Sequence, residues 1–218
     1  MTAPARAALL ALVRALAPQP PAAEAAFAAA LSARRFAVHQ PLLRAGEPAR
    51  WAYFLVRGLA REYYVAADGQ EHTRSFIPEG ELTGSLLDLR AGLRSGAPAV
   101  TFIEALEPTE TLLFGYREFE ALCERFPSLH VVARRWAEAL YVRKARREYE
   151  MLALSARERY AAWLTERAAL DGRIQRRHLA SYLGVTPEHL SRLRRGAPGR
   201  AARAETGRRA RAARRRST

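Results

Sequence analysis

Between Ile174 and Arg195 the polar residues are spaced so that they could read a nucleic acid. Glu188, His189, Ser191, Arg192, Arg194 and Arg195 all fall off the stripe formed by Leu190 and Leu193, so one helical face would carry a carboxylate, an imidazole, a hydroxyl and several guanidinium groups. Those groups match the edges of bases in a DNA major groove, where Arg donates to guanine O6 and N7 and Glu accepts from cytosine N4. Arg176, Arg177, Arg194 and Arg195 suit phosphate contacts, which set position without reading sequence. A helical hairpin with a basic solvent face would carry the same charges. Against that plainer reading stand the small Ala180, at a point of close helix approach, and the short Gly-Val-Thr-Pro-Glu connection.

Two short helices must position this face. Gly184 separates an apolar pattern of Leu179, Tyr182 and Leu183 from that of Leu190 and Leu193. Glycine takes the positive φ that ends a helix, Thr186 can cap the next one, and Pro187 falls at its first position, where a missing N–H costs nothing. The layout is a helix-turn-helix.

The 218 residues carry 36 Lys+Arg against 22 Asp+Glu, a formal charge of +14, which points to a polyanionic partner such as double-stranded DNA. Residues 196–218 supply half of that excess, in an Ala/Arg/Gly stretch without apolar period. A disordered tail that adds nonspecific phosphate contacts is expected there. Cys123 is the only cysteine, which excludes a disulfide framework, a four-cysteine iron–sulfur cluster and the usual structural zinc sites. No metal and no cofactor is expected, and a reducing cytoplasm is the natural compartment. No run reaches the roughly 18 apolar residues of a membrane span, and Arg14 interrupts the one stretch, 7–16, that resembles a signal segment. No His/Ser/Asp or metal-ligand grouping converges, so an enzyme is not expected.

Taken in order, residues 3–33 are helical in pattern, with a break at Pro18 to Pro21. From Arg35 to about Phe114, glycine-punctuated runs of β-branched and aromatic residues predict many short strands: 51–56, 59–65, 71–77 after an Asp68-Gly69 hairpin turn, 101–106 and 111–114. The fold class is α+β, with a small antiparallel β-barrel or jelly roll. A long helix then runs from about 128 to 152. Its Leu129, Ala133, Trp136 and Leu140 step by four, three and four, a seam that predicts a homodimer, although a lone helix could pack the same stripe on its own barrel. Ser155 with Glu158 three residues on starts a further helix.

This order of elements resembles the Crp/Fnr superfamily of bacterial transcription regulators over roughly residues 20–195. The most specific match is Leu179-Ala-Ser-Tyr-Leu-Gly-Val-Thr-Pro-Glu-His-Leu-Ser-Arg-Leu-Arg-Arg195, supported by Ser155-Ala-Arg-Glu-Arg-Tyr160 and Phe102-Ile-Glu-Ala-Leu-Glu107. The resemblance implies the first three of four parts, and composition gives the last. These are a helical cap and cyclic-nucleotide-binding-like sensor barrel over 1–126, a dimerisation helix over 127–152, a helix-turn-helix DNA-binding domain over 153–195, and the tail over 196–218. It also implies a small-molecule effector of unidentified chemistry and admits RNA polymerase as a further partner, with no membrane.

Departures from the cyclic-AMP-binding members shape the functional expectation. Their cassette carries Gly-Glu on a short helix and Arg-Ser before the next strand; here those places read Gly84-Ser85 and Ala99-Val100. Without the Arg, the charge-assisted contact to a phosphate is lost. Lys144 and Ala145 stand where a hydroxyl-bearing pair meets the base. Cyclic AMP is therefore not expected to bind; Gly84, Ser85, Ala99, Val100 and Lys144 mark a pocket that another anion could occupy, with Lys144, Arg143, Arg90 or Arg94 as counter-charges, although solvated surface charge is the favoured reading of these cations. In the reading helix, the three base-contacting positions become Pro187, Glu188 and Arg192, so one contact is absent. The competing expectation is a nonspecific or architectural nucleic-acid-binding protein with a vestigial barrel.

Overall fold

The structure is a computed structural model that describes residues 3–196. The chain divides into two compact units, Met1–Ala145 and Arg146–Thr218. The expected basic tail lies outside the described residues, apart from Gly196.

In the first unit, helices α1 (Ala3–Leu16) and α2 (Pro21–Ala29) are followed by eight strands: β1 (Ser32–Phe36), β2 (Pro41–Leu43), β3 (Trp51–Arg57), β4 (Ala60–Val65), β5 (Glu71–Ile77), β6 (Leu82–Thr83), β7 (Phe102–Ala105) and β8 (Thr109–Gly115). They form two four-stranded antiparallel sheets, ordered β1-β8-β3-β6 and β2-β7-β4-β5. Helix α3 (Leu86–Ser95) interrupts the series between β6 and β7, and α4 (Tyr116–Arg125) and α5 (Pro127–Ala153) follow it.

The apolar residues of β3 and β8 are buried in near-continuous runs, Ala52 to Leu55 and Thr111 to Gly115. These two strands pair side by side and line the core with Leu55, Leu112, Phe114 and Ile103 of β7. Helices close the barrel: Leu9 and Val13 of α1, Phe27 of α2 and Phe119 of α4 all reach that core, and Phe27 meets Phe114 edge-on at 5.1 Å. Cys123 is buried, and burial pushes its thiol pKa up to about 12, so it acts as a small apolar residue. The first turns of α5 belong to the same core, with Leu129 completely buried and Val132 nearly so.

The second unit holds the end of α5, then α6 (Ala156–Arg167), a 3-10 turn (Ala168–Leu170), α7 (Arg176–Leu183) and α8 (Pro187–Gly196). Its core is Tyr160, Trp163, Leu170, Ile174, Leu179, Ala180, Leu183 and Leu190. Ser155 caps α6 in a full capping box with Glu158, as the sequence predicts. Among the described residues, no helix is long and apolar enough to cross a membrane.

Candidate nucleic-acid interface and sensor pocket

The turn between α7 and α8 is built locally. Gly184 takes φ +65°, and the Gly184 and Val185 N–H groups donate back to the Ser181 and Ala180 carbonyls at 3.1 and 3.0 Å, satisfying the end of α7. A Cβ at Gly184 would lie 2.7 Å from Met151 Cε. Thr186 Oγ1 accepts from the His189 N–H at 3.2 Å, capping α8. Two arginines from neighbouring helices complete the frame. Arg159 donates to the Leu183 carbonyl at 2.9 Å and to the Leu154 carbonyl at 2.5 Å, while Arg147 donates to the Tyr182 carbonyl and stacks over its ring at 4.0 Å. Cations at a helix C-terminus also suit the helix dipole.

On this frame Leu190 is wholly buried, and the opposite side of α8 is open. Pro187, Glu188, Arg192 and Arg195 are exposed, as are Arg176 and Arg177 at the start of α7; His189 and Ser191 are half-buried. The Glu188 carboxyl is held below its ordinary pKa by its own backbone N–H and the Thr186 hydroxyl, with smaller help from Arg192 and Arg176. A charged acceptor and a charged donor thus stand one helical turn apart on the open face. The Ser191 hydroxyl donates to the Pro187 carbonyl at 2.9 Å, which leaves it as an acceptor.

Arg194 departs from the expected set. Its Nη2 donates to Asp171 Oδ1 at 3.0 Å and to the Asp171 carbonyl at 3.2 Å, and its side chain is only 20% exposed. The Trp163 indole N–H also reaches Asp171 Oδ1, at 3.3 Å. Arg194 therefore fastens α8 to the loop after α6 and is not among the open cations. Nothing in the pattern of α8 separates it from Arg192 or Arg195, because its partner lies 23 residues away.

In the barrel, Gly84 and Ser85 lie at the start of α3. Gly84 has φ +152°, and a Cβ there would come within 3.0 Å of the β3 backbone at Ala52. Ser85 is buried with φ +45°, a left-handed conformation that is costly for a residue with a side chain. The residue that closes this corner is Asp88, which the sequence reading passed over. Buried at 2% exposure, its carboxylate accepts from the Val100 N–H at 3.0 Å and the Thr101 N–H at 3.2 Å, and Ser85 Oγ lies 3.0 Å from Thr101 Oγ1. Burial opposes its charge, but hydrogen bonds from Thr101, Val100 and Ser85 outweigh it and lower its pKa. A lone acid in the run Leu86-Leu87-Asp88-Leu89 was the available signal. Ala99 is buried, whereas Val100 is 56% exposed.

The other counter-charges named from sequence separate. Arg90 bonds Glu120 and the Tyr116 hydroxyl, Arg143 pairs with Glu81 at 2.9 Å, Arg94 is exposed, and Lys144 is exposed on α5. The predicted dimer seam also divides. Leu129 is enclosed by its own barrel, which removes it from any partner, and Ala133 packs against the same core. Trp136 and Leu140 remain half-buried. Beyond them α5 exposes Tyr141 and Val142 at 72% and 64%, and further on Tyr149 and Leu152.

Residues 33–126 match the cyclic nucleotide-binding domain family. Over 160 residues, 71% of this chain and 71% of the relative, the sequence is 33% identical to the cyclic AMP receptor protein of Thermus thermophilus. Among solved structures, FixK2 from Bradyrhizobium japonicum superposes with a TM-score of 0.62 at 24% identity, covering 75% of this chain and 82% of that one. The c-di-GMP responsive global regulator CLP of Xanthomonas campestris superposes with a TM-score of 0.61 at 18% identity, covering 80% and 89%. At those identities the two structures speak for the fold.

Proposed function

Because this chain belongs to the Crp/Fnr family of transcription regulators, we propose that it is a homodimer that binds double-stranded DNA sequence-specifically and does so without cyclic AMP. The observation that carries the DNA reading is the open face of α8, where Glu188 and Arg192 stand exposed one turn apart on a helix seated by Leu190. Arg192 donates to guanine O6 and N7, and Glu188 accepts from cytosine N4. Arg176, Arg177 and Arg195 neutralise phosphates, and His189 and Ser191 flank the readers. Pro187 brings no donor, so the half-site differs at that position from one read by three polar side chains. Arg192→Ala is expected to weaken operator binding by about 1–3 kcal/mol and relax preference at one base pair per half-site, with a much smaller loss on random DNA. A competition assay with both DNAs checks this, and equal losses on the two would remove Arg192 from base readout.

Dimer formation is supported by the apolar side chains that α5 leaves open beyond Ala133, namely Trp136, Leu140, Tyr141 and Val142. A twofold dimer places two copies of α8 against a twofold operator.

Independence from cyclic AMP rests on the closed corner at α3. The Val100 and Thr101 N–H groups already serve the Asp88 carboxylate, and Ala99 and Val100 offer no cation. A phosphate would have to displace a buried, fully hydrogen-bonded carboxylate and would meet like charge. Calorimetric titration of the full chain with cyclic AMP is expected to show no saturable heat at micromolar concentrations; saturable micromolar binding would overturn this part of the reading.

A further inference from the structure

The last four carbonyls of α7, at the start of the reading turn, each need a donor from outside their own helix. The turn itself supplies two: the Val185 N–H serves Ala180, and the Gly184 N–H serves Ser181. The other two, Tyr182 and Leu183, are served from outside the helix-turn-helix, by Arg147 near the end of α5 and by Arg159 on α6. The Arg147 guanidinium also lies 4.0 Å over the Tyr182 ring, and Glu150, three residues on, stands 3.4 Å from its Nη1.

The same stretch of α5 touches the turn a second time. Met151 Cε sits 2.7 Å from where a Cβ on Gly184 would be, so the last turn of α5 is pressed against the bend. Arg146 pairs with Glu150 and, on α6, with Glu166. The loop after α5 is braced as well. The Leu154 carbonyl accepts from Arg159 at 2.5 Å, the Leu154 N–H donates to the Glu150 carbonyl at 3.2 Å, and Ser155 with Glu158 closes the capping box. The division of the chain into two units accordingly falls inside α5, between Ala145 and Arg146, and not at this loop.

We propose that Arg147 is a positioning residue for the reading helix, and that it makes the last two turns of α5 part of the DNA-reading body. Its guanidinium holds the end of α7, the end of α7 fixes the turn at Gly184, and the turn sets the direction in which α8 leaves. The seat of α8 is built from α5, α6 and α7, two of which lie outside the helix-turn-helix. A change in the direction of α5 at Arg146 is therefore carried into α8 through Arg147 and Met151, and is not absorbed at the α5–α6 loop. The proposal rests on α8 reading DNA, yet its first test is made without DNA, so the two can fail separately.

Hydrogen exchange in the full chain reads the seat directly. Arg147→Met removes the donor and its charge, and is expected to speed amide exchange at Gly184 and Val185 about tenfold or more, the size of one charge-assisted contact, with barrel amides unchanged. Arg147→Lys, which keeps a charged donor, should recover part of the protection. Arg146→Gln loses only pairs made by an exposed side chain and should change little. On DNA, Arg147→Met is expected to lower affinity for the site recovered by selection about tenfold and affinity for random DNA by less, because a displaced helix loses base contacts while phosphate contacts persist. Unchanged exchange in Arg147→Met, or an equally large effect of Arg146→Gln, would show that Arg147 does not hold the turn. Equal losses on the two DNAs would make Arg147 a phosphate-binding cation and overturn its positioning role.

Discussion

Leu179→Ala is expected to destabilise the unit that begins at Arg146 by about 2–5 kcal/mol and to abolish operator binding at temperatures where the unaltered protein binds. Leu179 has no exposure and lies on α7 beside Ala180 and Leu183, across from the fully buried Leu190 of α8. A unit this small has few core residues, so one lost leucine is a large share of the marginal stability available to it. The barrel has its own core, so its unfolding should move little. Thermal unfolding followed by circular dichroism, and by fluorescence in a background where Trp51 and Trp136 are replaced by Phe so that Trp163 alone reports, checks this, with the expected result that a lower transition separates from that of the barrel. An unshifted transition together with full operator affinity would show that α7 does not set the position of α8.

Asp171→Ala is expected to have the next largest effect. It removes the acceptor for Arg194 and for the Trp163 indole, and leaves a guanidinium that is only 20% exposed without its anion. Losing charge-assisted hydrogen bonds of this kind costs about 1.5–3 kcal/mol. Arg194→Met, which removes the buried charge and keeps much of the length, should be milder. If the pair acts as a unit, adding Arg194→Met to Asp171→Ala should recover part of the loss, so that the double variant is more stable than the two single changes predict. Strict additivity would show that Arg194 is not fastened to Asp171 in solution. Operator affinity should follow the same order, because the pair acts on DNA only through the position of α8.

How much of this was legible in the sequence depended on whether a signal was local. Gly184, Thr186 and Pro187 specify the turn and both flanking helix ends within four residues, and the observed φ, cap and helix start follow them. Ser155 and Glu158 do the same for α6. The strands with hairpin or glycine punctuation, β3, β4 and β5, lie where the pattern puts them to within a residue or so. Elements without such marks were not anticipated: β1 is mostly exposed, β2 and β6 are very short, and α3 buries only Asp88 and Leu89, too little to show a period.

The misplaced site residues share one cause. A helical stripe such as Leu129, Ala133, Trp136 and Leu140 is the same whether it faces a partner or its own barrel, and here its first member faces the barrel. Arg194 and Asp171 meet only through tertiary structure.

The most direct test of the account is selection of binding sites by the full-length protein from a random DNA pool. A twofold-symmetric site is expected, with half-sites about one helical turn apart, or roughly 10 base pairs. A guanine in each half-site should lose its preference when the selection is repeated with Arg192→Ala. Recovery of no motif, with affinity that tracks salt alone, would contradict sequence-specific recognition and favour an architectural nucleic-acid-binding protein instead.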